Sequence, residues 1–243
     1  MSTEDTGSGP APVPRAATAR QRARAELTRE IKEEARRQLA ATGADGLSLR
    51  AVARQLGMVS SAIYRYFPSR DDLLTALIID AYDAIGEAAE GAAAGAAAAR
   101  ERWAATCHAV RDWARANPHE YALIYGSPVP GYRAPQTTIP HATRVPLAFV
   151  GLLSAAVDSG EVAEVKDAPP VDGELAEQAA TLSAILAPLS TPADLLVRGV
   201  IAWTQLFGMI SFELFGQFVG SFEPADAVLA YAVDQLAAFV GMR

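Results

Sequence analysis

The chain has 243 residues, 51% of them hydrophobic and 20% charged, a balance that supports a sizeable buried core and excludes disorder throughout. Its net charge of −7 argues by itself against a nucleic-acid partner, but the charge is uneven: residues 1–70 carry twelve Lys/Arg against seven Asp/Glu, net +5, and residues 71–243 carry nine against twenty-one, net −12. A basic front end on an acidic body concentrates attraction for phosphates in one place and discourages the body from lying on DNA.

Residues 1–17 hold Pro10, Pro12 and Pro14 and no apolar run, so a disordered tail is expected rather than a signal peptide. From Arg20 to Thr42 the apolar positions Ala25, Leu27, Ile31, Ala35 and Leu39 recur, the last four of them four apart, among charges, and Gly43 supplies a stop. Ser48 caps a short helix through Leu56, Gly57 makes a turn, and a second short helix runs from about Ser60 to Phe67, where Pro68 ends it. Ser69 and Asp72 form a capping box for a long helix from Arg70 to about Glu90, with Leu73, Leu74, Leu77, Ile78, Ala81 and Ile85 on one side. The Ala/Gly segment 91–99 reads as a connection.

Beyond it, helices are expected over Arg100–Asn117, Pro118–Tyr125, His141–Val157 and Glu174–Leu186, with a proline-rich loop over 126–140. Pro192 opens a long helix to about Phe218, and Pro224 opens the last. Both final helices are apolar on more than one face, which suits burial against their own domain on one side and a second copy of the chain on the other. Helix signals recur and strand signals do not, so the expected fold class is all-α: an N-terminal three-helix helix-turn-helix domain over 18–68, and a second helical domain over 69–243 that begins with the long linking helix and dimerises through its last two helices.

The stretch 47–70 carries the chemistry. Two short helices joined by a glycine turn, the second bearing hydroxyls, tyrosines and arginine on one face, form a surface that fits a DNA groove rather than a cleft. Arg50, Arg65 and Arg70 can reach phosphates, and Arg65 can reach guanine, while Ser48, Ser60, Ser61, Tyr64 and Tyr66 offer hydroxyls to phosphate oxygens. Ile63 and Phe67 face the small domain's core. Arg15, Arg20, Arg22 and Arg24 form either an arm along the DNA or a solvated helix start.

Enzyme signatures are missing: there is no glycine-rich nucleotide loop, His-Glu-x-x-His or Gly-x-Ser-x-Gly elbow. No cofactor is implied. His108, His119 and His141 have no paired spacing, and the single Cys107 is too few for a thiolate metal site and for an intrachain disulfide, which fits a cytoplasmic location. The longest uncharged apolar stretch, Gly199–Phe212, is 14 residues, short of the roughly 20 that cross a bilayer, so no membrane partner is expected.

Residues 20–90 resemble the DNA-binding domain of TetR-family transcriptional regulators, with Gly57-Met58-Val59-Ser60-Ser61-Ala62-Ile63-Tyr64-Arg65-Tyr66-Phe67-Pro68-Ser69-Arg70 matching the recognition-helix signature. Residues 100–241 resemble the ligand-binding domain of an actinobacterial-type subgroup, in the run from Asn117 to Tyr132 and in Trp203–Gly208. The resemblance implies that Tyr64, Tyr66 and Arg70 grip the DNA backbone, that Ser60, Ser61 and Arg65 read bases, and that a small molecule is the effector. Two departures stand out. The family commonly has serine where Val59 stands, so the helix cap is expected to move to Ser60. The subgroup often has histidine where this chain has Phe207, which implies a greasier pocket and a less polar effector. Trp103, Tyr121, Tyr125, Phe149, Trp203 and Phe207 are the candidate effector contacts, beneath the proline-rich loop. The expectation is a homodimeric repressor on a palindromic operator in double-stranded DNA. The alternatives are an effector-independent architectural DNA-binding protein, with a filled body, and an enzyme that uses the C-terminal cavity.

Overall fold

The computed structural model describes residues 15–95, 97–166, 168–186 and 191–243, with the side chains of 15–17 excepted; most of the expected N-terminal tail lies outside the described residues. Among them are eleven α-helices and no strand, the only sheet-like feature being an isolated antiparallel bridge between Val162 and Met242. The chain divides into two compact units that meet between Leu73 and Leu74.

In the first unit, α1 (Arg15–Thr42) begins five residues earlier than its apolar periodicity suggests and ends at Gly43, whose φ of 70° suits glycine. Ile31, Ala35 and Leu39 are buried, whereas Ala25 near the start is exposed and Leu27 half-buried, because the apolar packing of α1 lies in its C-terminal half. A 3-10 turn (Ala44–Gly46) leads to α2 (Leu49–Gln55). Ser48 caps α2, its Oγ accepting from Ala51 N at 3.4 Å. Gly57, at φ 65°, turns the chain into α3.

The second short helix is shorter than its sequence pattern suggests. Only Ser60–Ile63 is α-helical; Tyr64–Tyr66 continue as tight turns, with Arg65 N donating to Ala62 O and Tyr66 N to Ile63 O. The N-cap is Val59 and not Ser60, and no side chain caps the helix. Ile63 and Phe67 are buried with Val52, Ala53 and Leu49 and hold the short element in place. The Ser69–Asp72 box forms as expected, Ser69 Oγ donating to Asp72 Oδ2 at 2.7 Å and accepting from Asp72 N at 3.1 Å, and opens α4 (Arg70–Ala93). α4 runs into the Ala/Gly segment before breaking.

The second unit is a helical bundle of the rest of α4 with α5 (Ala99–Ala116), α6 (Pro118–Tyr125), α7 (Ile139–Ala142), α8 (Arg144–Asp158), α9 (Gly173–Ile185), α10 (Ala193–Leu214) and α11 (Asp226–Phe239). The single helix expected over 141–157 is instead two, separated at Thr143. α10 starts after Pro192, which serves as its N-cap, and stops four residues short of Phe218 because Gly216 at φ 78° turns the chain away. Trp103, Cys107, Val110, Tyr121, Phe149, Leu153, Leu206, Ile210, Leu229 and Val233 lie in one continuous core.

Ion pairs between helices fasten this bundle, among them Arg100 of α5 with Asp234 of α11 at 2.6 Å. Arg111 on α5, only 4% exposed, donates to both Glu213 oxygens at 2.6 and 2.7 Å and to Asp226 at 2.8 Å, joining α5 to α10 and α11. Asp83 on α4 accepts from His141 Nδ1 at 2.7 Å and from Arg144 at 2.9 Å, and Arg144 also reaches Glu90 at 2.8 Å. Gly86 makes this last approach possible, since a Cβ there would lie 2.7 Å from the Cβ of Arg144. Arg198 pairs with Asp194 within α10.

The uncharged run in α10 is too short for a bilayer, but the whole 22-residue helix is long and apolar enough by length and composition. Leu195, Leu196, Ala202, Leu206 and Ile210 of that helix are buried in the protein, while Val200, Ile201 and Phe212 are exposed.

Candidate nucleic-acid interface and effector cavity

Packing Ile63 and Phe67 inward turns the intervening positions outward. Ser60, Ser61, Tyr64 and Arg65 are exposed, Tyr64 by 42%, and Arg50 on α2 is exposed as well. Hydroxyl and guanidinium groups on one convex surface can donate to phosphate oxygens and to base edges. Tyr66 is half-buried beneath Arg24, whose guanidinium carbon sits 5.2 Å from the ring centroid and whose Nη2 donates to Arg65 O at 3.1 Å. Arg24 thus ties α1 to the turn after α3 instead of forming a free arm. Arg20 and Arg22 are exposed on α1, and the side chain of Arg15 lies outside the described residues.

Two of the expected DNA contacts are engaged inside the protein. Ser48 is the α2 cap, and its own N–H donates to Gln38 Oε1 at 3.3 Å. Arg70 donates from Nε to Leu47 O at 3.2 Å and from Nη2 to Ala44 O at 2.7 Å, bracing the turn that leads into α2. Val59 was missed as a candidate. It is 71% exposed at the head of α3, where an apolar side chain can meet a thymine methyl group. The signal was present in the sequence as the substitution of a capping serine.

In the second unit the six aromatic candidates form two groups. Trp103 and Phe149 are buried and pack edge-to-face at 5.2 Å, with the Trp103 indole N–H donating to Val233 O at 3.2 Å. Tyr121, Tyr125, Trp203 and Phe207 form a second cluster in which Phe207 touches Tyr125 at 4.5 Å and Trp203 at 5.2 Å between centroids. Tyr121 hydrogen-bonds Ser211 at 2.9 Å. The Tyr125 hydroxyl and the Trp203 indole N–H are buried without a hydrogen-bond partner, and burial pushes the Tyr125 phenol far above its ordinary pKa, so it stays protonated. Burial likewise keeps the Cys107 thiol protonated and unreactive.

A cavity of about 340 Å³ lies beneath the proline-rich loop, but a different set of residues lines it: Ile78 and Tyr82 of α4, Ile124 of α6, Val129 and Tyr132 of the loop, and Ile139 of α7 among them. The Tyr132 hydroxyl, 2.9 Å from Thr75 Oγ1, pins the loop to α4. Tyr82 is the link between cavity and cluster, its ring edge-on to Tyr125 at 6.1 Å. None of the six aromatic candidates lines it: Trp103, Tyr121, Phe149 and Phe207 are buried core residues, and Tyr125 and Trp203 pack partly buried against that core. Among the described residues no group of histidine, cysteine and carboxylate side chains could hold a metal.

Residues 31–77 match the family model for bacterial regulatory proteins of the tetR family, and residues 103–236 match the tetracyclin repressor-like C-terminal domain. The chain is 41% identical over 206 residues to the HTH-type transcriptional regulator Rv1816 of Mycobacterium tuberculosis and equally to Mb1846 of Mycobacterium bovis, covering 82% of this chain and 85% of each relative. The chain belongs to the TetR family of transcriptional regulators. This TetR-family protein is also similar to a crystal structure of regulatory protein SCO4313, at a TM-score of 0.74 and 36% identity over 90% of this chain and 98% of that one. A protein of unknown function from Rhodococcus sp. RHA1, at TM-score 0.66 and 24% identity, shares the fold. The family assignment makes the chain a transcriptional regulator and excludes the enzyme reading.

Proposed function

We propose that this TetR-family regulator is a cytoplasmic homodimeric repressor that binds a pseudo-palindromic operator and leaves it when a small, largely apolar effector occupies the body. The observation that carries the DNA half is the outward row Ser60, Ser61, Tyr64 and Arg65, anchored from behind by Ile63 and Phe67. Arg65, Ser60 and Ser61 read bases, Tyr64 and Arg50 hold the backbone, and Val59 adds an apolar contact. Two such elements across a two-fold axis enter successive major grooves about 34 Å apart.

Support for dimerisation lies in the second unit. Val200, Ile201, Phe212 and Phe215 in and just after α10, with Tyr231 and Phe239 of α11, leave an apolar face in solvent, and a second copy of the same face would cover it. The cavity beneath the proline-rich loop supports the effector reading over an architectural protein with a filled body. Its volume is in the range of small-molecule sites, and no charged side chain lines it. An effector that prefers one dimer shape weakens DNA binding by the same factor that DNA weakens effector binding.

Selection of bound duplexes from a random pool tests the reading. An enriched inverted repeat with half-sites one helical turn apart is expected; recovery of no common sequence, or of a single unrepeated half-site, would overturn it.

A further inference from the structure

A second cavity, of about 410 Å³, is formed by the chain after α8 with α9, α10 and the end of α11, and shares no lining residue with the one beneath the proline-rich loop. Most of its wall is apolar, including Val165, Pro170, Leu175, Val197, Ile201 and Phe239. The exception is Arg198, a cation only 8% exposed. Of the five N–H donors on its guanidinium, three are engaged, and unequally: Nη2 donates to Asp194 Oδ2 at 2.7 Å, while Nε to Asp194 O and Nη1 to Phe239 O are both 3.4 Å, near the limit of a hydrogen bond.

Asp194, the carboxylate partner, is itself 60% exposed and shares its charge with solvent. A leucine or methionine would fill this position without the desolvation cost of a buried cation. Lys166 is a second cation on the wall, against one anion, Asp194.

We propose that this cavity binds an amphiphilic carboxylate, a medium-chain fatty acid or an arylalkyl acid of similar size. The acid group takes the Arg198 fork in two parallel hydrogen bonds, with Asp194 released to solvent. The chain lies along Leu175, Val197, Ile201 and Phe239. The site stands apart from the effector cavity, but it shares Ile201 and Phe239 with the apolar face proposed for dimerisation, so it must stay open beside a second copy.

Calorimetric titration of the full-length protein with decanoate and with decanol tests it. Decanoate is expected to bind once per chain and decanol at least about tenfold more weakly, the difference a charge-assisted pair makes. Arg198→Gln should bring decanoate down to the level of decanol. Because Arg198 also holds α10 to α11, a second variant is needed that leaves it alone: Leu175→Trp, at a partly exposed wall position, fills the cavity and should weaken both ligands. Equal affinity for acid and alcohol, decanoate binding untouched by Leu175→Trp, or no uptake of either because a second copy covers this face would each overturn the proposal.

Discussion

Arg65 leaves its guanidinium in solvent after α3, whereas Arg70, five residues on, commits its own to the carbonyls of Ala44 and Leu47. Both lie within the signature and both are exposed-looking cations by residue type, so the sequence assigns both to DNA, and only the path of the backbone brings two carbonyls under one of them. Their alanine variants should therefore differ. Arg65→Ala should cost about 1–3 kcal/mol of binding to the selected operator, roughly tenfold to a hundredfold, and leave the melting temperature alone. Arg70→Ala strips two carbonyls of a half-buried partner and should lower the stability of the first unit by about 1–2 kcal/mol. Thermal melts beside fluorescence-anisotropy titrations check both, and a melting temperature that falls for Arg65→Ala and holds for Arg70→Ala would reverse the assignment.

Between helices, the polar fasteners carry the specificity that apolar packing lacks. Arg111 is buried against Glu213, and Arg111→Ala leaves that largely buried carboxylate only the longer contact with half-exposed Arg115 at 3.7 Å, so it should destabilise by about 3 kcal/mol, the low end for a broken buried pair; denaturant unfolding measures it, and a loss below 1 kcal/mol would show the pair to be solvated. The clasp of α4 to α7 and α8 responds to pH. Glu90 is held below the ordinary carboxylate range by the hydrogen bond from Arg144; for Asp83, burial pushes upward but the bonds from His141 and Arg144 outweigh it. Groups whose folded pKa is lowered stabilise fully above the unfolded value, about 4, and lose that contribution as pH falls through the folded one. Arg144→Gln should lower stability at pH 7 by about 1 kcal/mol, a modest figure because the partners are partly exposed, and the gap to wild type should close below about pH 4. Melting curves across pH 3–7 test this; a gap that persists in acid would mean that Arg144 acts through packing alone.

At the scale of the whole molecule, the proposed repressor requires that two copies present their reading elements together. Phe212 and Tyr231 are 54% and 68% exposed on the apolar face of the last two helices. Phe212→Glu with Tyr231→Glu should yield a folded monomer by light scattering, with operator affinity reduced by at least about a hundredfold, because each half-site then binds without its neighbour. A dimer that survives both substitutions would move the interface elsewhere.

Much of this architecture was legible in the sequence because it rests on local rules. The 3.6-residue period of α1 and α4, the Ser48 cap, the Ser69–Asp72 box and the turn at Gly57 each depend on residues within one turn of one another. The burial of Ile63 and Phe67, and with it the outward face of α3, follows from the same periodicity. What tertiary structure alone decided depends on distant segments. Arg24 settles on Tyr66, Arg70 turns inward, and Trp103 and Phe149 fill the core while the cavity opens beside Tyr82 and Tyr132. Side-chain type states what a group can bind; which partner it meets is fixed by long-range packing, for which a linear pattern holds no coordinate.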